Sequence, residues 1–176
     1  VIFAETALAG AFVIDIEPRR DSRGFFARTY CQREFESHGL VQTISQCNMA
    51  HNVLAGTLRG MHWRSMPSPE AKLVRVVRGA ILDVIVDLRK ESPTYLKHIA
   101  VELSADNQRA LYVPPMFAHG FQTLVDHTEV FYQMSEFYNS QFDCGARWDD
   151  PAFQIRWPLA NPILNDRDRA YPDFPA

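Results

Sequence analysis

Within the stretch GTLRGMHWRSMPSPEAKLVRVV, Gly56 to Val77, an arginine, a histidine and a lysine (Arg59, His62 and Lys72) flank a proline-rich connection, Met66-Pro67-Ser68-Pro69, and a β-branched run follows at once. Two strands joined by such a connection let all three cations face one cavity. A histidine suits proton transfer near neutral pH, while arginine and lysine suit an anionic substrate and a developing oxyanion. Residue types and spacing together point to acid–base chemistry on an anion.

The same stretch raises the question of a metal. Cupin-type β-barrels bind one through a glycine, two histidines one residue apart and a following acid, with a further histidine in a later strand pair. Gly56 and His62 fit the first half, Glu70 lies near the acid, and His119 would be the later histidine. Arg64, however, stands where the second histidine is needed. A guanidinium has only donors and a permanent positive charge, so it repels a cation. The expectation is a site without metal or other cofactor, its histidines kept for acid–base work.

Such residues need a frame, and the chain reads as many short strands separated by turns. Phe12–Ile16 is a short alternating strand ended by Pro18, and Phe25–Tyr30 and Val41–Asn48 have strand character. Gln32–His38 reads as a helix with Gly39 as its stop. Lys72–Val77 and Ala80–Leu88 are strands around Gly79; in the second, Leu82, Val84, Val86 and Leu88 make an apolar face against Asp83, Ile85 and Asp87. His98–Leu103, Arg109–Val113 and the aromatic-rich Glu129–Tyr138 follow. The tail beyond Asp149 is proline-punctuated, with Asn165 as N-cap of a last short helix carrying Asp168. The pattern predicts an all-β fold, a jelly-roll barrel with a few short helices, which holds a ligand in its mouth.

At 176 residues, with 47% hydrophobic and 22% charged side chains, the chain fits one domain, 1–176, with its own core. A net charge of -3 argues against a nucleic-acid binder. Cys31, Cys47 and Cys144 are odd in number and widely spaced, matching neither a disulfide framework nor a zinc site, which favours the reducing cytoplasm. No apolar run approaches the roughly 20 residues that span a membrane. The opening VIFAETALAGAFVIDI carries Glu5 and lacks a basic leader region, so no signal peptide is expected.

Six segments in order, Asp21-Ser22-Arg23-Gly24-Phe25-Phe26, Leu58-Arg59-Gly60-Met61-His62, Lys72-Leu73-Val74, Asp83 to Arg89, Phe117-Ala118-His119-Gly120-Phe121 and Trp148-Asp149-Asp150-Pro151, resemble the dTDP-4-dehydrorhamnose 3,5-epimerase family from about Phe12 to Asp168. The resemblance implies a metal-free cupin jelly roll, a homodimer whose N-terminal strands pair across subunits, and a nucleotide-diphospho-sugar substrate in deoxysugar biosynthesis. The family inverts C3 and C5 of a 4-keto-6-deoxyhexose, from dTDP-4-dehydro-6-deoxy-D-glucose to dTDP-4-dehydro-L-rhamnose. By resemblance His62 is the base, Asp168 orients it, Lys72 stabilises the enolate with His119 beside it, and Tyr132 returns a proton from the other face. Arg59 and Arg23 would hold the diphosphate. Gln46, Asn48 and Tyr138, with Arg28, Asp143 and Arg167, complete the implied substrate-binding set.

On residue type alone duller readings stand beside these. His62 could be a structural histidine, Lys72 a solvated edge charge, Asp168 a helix cap, Tyr132 part of an aromatic core stripe, Arg23 an exposed turn residue. Asp83 could support Lys72 or His119, or face solvent. The sequence also departs from the family: Arg28 stands for a glutamate that contacts the nucleotide, Cys47 for an aspartate, Trp63-Arg64 for a Tyr-Gln pair and Gln133 for a lysine. These changes bear on which nucleotide and sugar bind more than on the reaction. A single-centre 3- or 5-epimerase on another nucleotide-sugar, and a non-catalytic binding module on the same barrel, remain open alternatives.

Overall fold

The computed structural model describes residues 1–175. In chain order the elements are β1 (Ile2–Glu5), β2 (Phe12–Asp15), β3 (Arg19–Asp21), β4 (Gly24–Phe26), α1 (Gln32–Ser37), β5 (Gln46–Asn52), β6 (Leu58–Arg64), β7 (Lys72–Arg78), β8 (Ala80–Asp87), β9 (His98–Ser104), β10 (Ala110–Val113), β11 (Phe117–Thr123), β12 (Thr128–Met134), β13 (Asp143–Gly145) and α2 (Asp166–Arg169). They form a six-stranded sheet, β1-β2-β10-β7-β12-β5, facing a five-stranded one, β13-β6-β11-β8-β9, with the β3–β4 hairpin apart. The pairings are antiparallel, and the architecture is the cupin-type jelly roll expected above.

Period-two alternation decides what each face does. From β7, β10 and β12 come Val74, Val76, Leu111, Val113 and Val130; from β8, β9 and β11 come Ile81, Ile85, Leu103, Phe117 and Phe121, and together they fill the space between the sheets. Asp83 shares the inward face of β8 with Ile81 and Ile85. The opposite face, Leu82, Val84 and Val86, is also covered, because Phe153, Trp157 and Phe174 of the tail pack over it with Met61, Trp63 and Ala146. The proline-punctuated tail is therefore a lid on the outer face of the five-stranded sheet. On the other outer face, Phe35 of α1 packs on Ile14, Leu73, Ala110 and Tyr112.

Three expected strands are shorter than their residue types suggest. The run Phe25–Tyr30 is in strand only to Phe26, since among the described residues the hairpin pairs only with itself and leaves Phe26 73% exposed. Strand character at Val41 begins only at Gln46, where β12 supplies a partner; Val41 N–H instead donates to the Tyr112 hydroxyl. At the far end β12 stops at Met134 rather than Tyr138, as Ser135 turns to cap the start of β7, accepting at Oγ from Ala71 N–H at 2.8 Å.

Where β6 meets β11, two residues of β6, Gly60 and Met61, oppose the single Gly120, a bulge in the ladder. The chains touch there: a Cβ on Gly60 would lie 2.6 Å from Gly120 Cα, and Gly60 has φ +128°. The extra residue turns Arg59 and His62, three apart in sequence, onto the same inward face.

Tail packing makes a measurable demand. Phe153, 1% exposed, is its largest anchor; Phe153→Ala is expected to cost about 3–5 kcal/mol in urea unfolding. A loss under about 1 kcal/mol, the scale of an ordinary surface change, would show the tail to be loosely laid rather than packed.

Candidate active site

The mouth of the barrel holds an inner chamber of about 180 Å³ whose walls include Arg59, His62, Lys72, His119, Tyr132 and Asp168. Through His62, Lys72 and Tyr132 it continues into an outer recess of about 280 Å³, bordered by Gln46, Asn48, Tyr138, Asp143 and Arg167. The three cations of the Gly56–Val77 stretch thus share one cavity.

His62 and His119 are direct cross-strand neighbours on β6 and β11. Each has its own buried carboxylate: His62 Nε2 lies 2.7 Å from Asp168 Oδ1, and His119 Nε2 lies 2.7 Å from Asp83 Oδ1. A carboxylate at Nε2 holds the proton on that nitrogen, which leaves Nδ1 with the lone pair of a base. Asp168 is 1% exposed and is held from two sides. Its Oδ2 accepts from Gly60 N–H at 3.1 Å, and its own N–H donates to Asn165 Oδ1 at 2.7 Å. Asn165 is the helix cap, so Asp168 is free to serve His62. Burial pushes the Asp168 carboxyl up, but the His62 hydrogen bond and charge, with the Gly60 N–H, outweigh it and leave the group below the usual carboxylate value. Asp83 serves His119, rather than Lys72 or solvent.

Lys72 begins a central strand between β10 and β12, not an edge. Its Nζ lies 3.1 Å from Oε1 of Glu70, in the connection just before the strand. Tyr132 both packs on the inter-sheet core and lines the chamber; burial raises its phenol above the ordinary value, with Arg59 pulling the other way. Arg59 Nε donates to the buried Asn52 Oδ1 at 2.8 Å, which fixes the guanidinium on the wall. In the outer recess Arg167 pairs with Asp143 at 3.2 Å, Asn48 Nδ2 contacts Met134 Sδ, and Tyr138 N–H donates to Gln46 Oε1.

Arg23 and Arg28 do not join this cavity within one chain. Arg23, its side chain 87% exposed, forks onto Asp21 at the hairpin tip, and Arg28 pairs with Glu34 beside α1. The hairpin's lack of any sheet partner is what carries them away. Near them lies a larger hollow of about 380 Å³, lined by Val1, Glu17 and Glu34, with none of the barrel's histidines.

Two neighbours of the site were not singled out for it from sequence. Tyr171 sets its ring edge-on to His62 at 5.8 Å and fills the space over Gly145, where any Cβ would lie 2.2 Å from the ring. It lies just past the end of α2, three residues after Asp168, where the sequence carried no helical signal for it. Glu70 was read only as a possible metal ligand. Among the described residues no group of three or more His, Cys, Asp or Glu is arranged to hold a metal, and no helix is long and apolar enough to cross a membrane.

Because the Asp168 value is depressed on folding, its contribution to stability is present above the unfolded carboxylate value and is lost as pH falls through the folded one. Asp168→Asn is therefore expected to cost about 1–3 kcal/mol at neutral pH, with the gap to the parent narrowing in acid. Urea unfolding across the acid range checks this; a gap constant with pH would contradict it.

A family model described as dTDP-4-dehydrorhamnose 3,5-epimerase matches residues 5–175. The chain is 42% identical over 170 residues to a dTDP-4-dehydrorhamnose 3,5-epimerase from Methanothermobacter thermautotrophicus, covering 95% of this chain and 91% of the relative. A crystal structure of dTDP-4-dehydrorhamnose 3,5-epimerase from Bacillus anthracis, with TDP and PPi bound, superposes with a TM-score of 0.95 at 43% identity, covering 98% of this chain and 99% of that one. A 3'-monoepimerase from Streptomyces bikiniensis in complex with dTDP-quinovose superposes at 0.88 with 30% identity, covering 96% and 85%. With the barrel, its histidine–carboxylate pairs and these matches in agreement, the chain belongs to the dTDP-4-dehydrorhamnose 3,5-epimerase family.

Proposed function

We propose that this protein is an epimerase that inverts C3 and C5 of a dTDP-linked 4-keto-6-deoxyhexose, taking dTDP-4-dehydro-6-deoxy-D-glucose to dTDP-4-dehydro-L-rhamnose. One observation carries the reading: a carboxylate-held histidine and a buried tyrosine share a small chamber with a lysine, in a chain of this family. The C4 ketone acidifies the protons on both neighbouring carbons. His62 takes one of them, Lys72 meets the enolate oxygen with His119 alongside, and Tyr132 gives a proton to the opposite face. The raised phenol value keeps Tyr132 protonated at neutral pH, as a donor must be. After each inversion the imidazolium loses its proton and the phenolate regains one, so no redox cofactor is consumed.

Arg59 would meet the diphosphate, and the outer recess, with Gln46, Asn48, Tyr138, Asp143 and Arg167, would take the nucleoside. Arg23 and Arg28 fit the same scheme only from a second copy. The exposed Phe25 and Phe26 on that hairpin support a homodimer in which the hairpin reaches the partner's cleft. A sugar nucleotide as substrate, together with unpaired cysteines, supports a cytoplasmic setting. Similarity to the 3'-monoepimerase favours one second reading, inversion at a single carbon.

Incubation with dTDP-4-keto-6-deoxyglucose in deuterated water, followed by NMR, tests the proposal. Deuterium at both C3 and C5 with a rhamnose-configured product is the expected result; deuterium at one carbon would establish the second reading, and none would refute both. His62→Ala is expected to lower exchange at least about a thousandfold while nucleotide-sugar binding changes little. Retained exchange would remove His62 as the base. Tyr132→Phe should depress net inversion at least about tenfold more than initial proton loss. Equal losses in the two rates would contradict a separate acid.

A further inference from the structure

Arg64 and Glu70 are the largest buried charges that the proposed chemistry does not use. Arg64 lies two residues after His62 on β6, and Glu70 two residues before Lys72. Strand alternation on β6 turns Arg64 toward the interior alongside His62, and Glu70, in the connection just before β7, is buried against Lys72. Their side chains are 1% and 4% exposed. The two carboxylate oxygens of Glu70 have different neighbours: Oε1 is 3.1 Å from Lys72 Nζ, while Oε2 is 4.0 Å from Arg64 Nη1. At 4.0 Å Arg64 acts on Glu70 as a charge rather than as a hydrogen-bonded clamp. Arg64 is anchored elsewhere, its Nη2 donating to Phe137 O at 3.2 Å and to Ser68 Oγ at 3.4 Å. Arg64 Nε and Nη1 and Glu70 Oε2 are buried with no hydrogen-bond partner among the described residues.

Two effects compete at Lys72. A lysine head on a four-carbon stem gains direction from an acceptor such as Glu70. A buried carboxylate at 3.1 Å also cancels most of the field that the ammonium would exert on an oxyanion. A second, permanent cation behind the carboxylate resolves the conflict, because the cluster regains one net positive charge while its exposed member stays oriented. We infer that Glu70 is a positioning residue for Lys72 and that Arg64 restores the net charge that Glu70 removes, so the three act as one singly charged cationic unit facing the enolate oxygen. This rests on the function proposed above. It gives the departure Trp63-Arg64 a role: Arg64 and Glu70 are a matched pair, and each is harmful without the other.

The test is a charge-reversal-free cycle in the full chain: Arg64→Gln, Glu70→Gln, the double variant, and Arg64→Lys. For each, kcat and KM of deuterium exchange into dTDP-4-keto-6-deoxyglucose are measured beside the urea midpoint. Arg64→Gln should lower kcat roughly tenfold or more with KM within about threefold, since it leaves Lys72 neutralised only where charge develops. Arg64→Lys, which keeps the charge, should stay within about threefold of the parent kcat. The double variant restores one net positive charge but loses the carboxylate that orients Lys72, so it should be faster than Arg64→Gln by about threefold or more and still slower than the parent. Wild-type kcat in Arg64→Gln, or a double variant no faster than it, overturns the inference. If Arg64→Gln does not fold, roughly tenfold losses in both the double variant and Arg64→Lys overturn it instead, because packing rather than charge would then set the rate. A parent enzyme that exchanges neither carbon overturns the function itself, which distinguishes that failure from this one.

Discussion

The bond between His62 Nε2 and Asp168 Oδ1, at 2.7 Å, joins two parts of the molecule that fold by different rules. His62 belongs to a strand whose position the inter-sheet core determines. Asp168 belongs to a four-residue helix that could not persist alone and is placed by the packing of the tail over the five-stranded sheet. The histidine proposed as base is therefore held by its carboxylate only when the tail is seated. Asn165, Gly60 and Tyr171 all serve that junction: one caps the helix, one donates to the free carboxylate oxygen, and one fills the space beside the imidazole.

The second constraint is electrostatic. A chamber with four cationic or protonatable groups would repel itself unless each is held, and each here has a partner of its own. His62 has Asp168, His119 has Asp83 and Lys72 has Glu70, while Arg59 leans on the neutral Asn52. Carboxylates in the wall set the direction of the cations without entering the space where an anionic sugar nucleotide would lie. Among the described residues Arg59 has no acid on it, which suits the group proposed to meet the diphosphate.

Much of this was legible in the sequence. Lys72, Val74 and Val76, like Leu82, Val84 and Val86, alternate so regularly that strand and facing follow from period two alone, and Asn165 announces the last helix by its capping chemistry. What escaped was set by tertiary partners. That Arg59 and His62 share a face depends on a bulge between two strands far apart in sequence, and only the presence of a glycine at 60 and at 120 hints at it. Strand residues without a neighbour, as at Ala27 to Tyr30, leave the sheet whatever their propensity. The tail looked featureless because its apolar residues follow no period; they fit a surface that other strands create. Tyr171 and Glu70 lacked meaning until that surface and its cations were in place.

In the proposed reaction His62 and Tyr132 address opposite faces of one sugar ring whose C4 oxygen points at Lys72. A crystal structure with dTDP-glucose, which lacks the ketone and cannot react, tests it most directly. The hexose should lie in the inner chamber between His62 and Tyr132, with O4 within hydrogen-bonding reach of Lys72 Nζ and the diphosphate against Arg59. A hexose outside the chamber, or one that both side chains approach from the same face, would contradict the account.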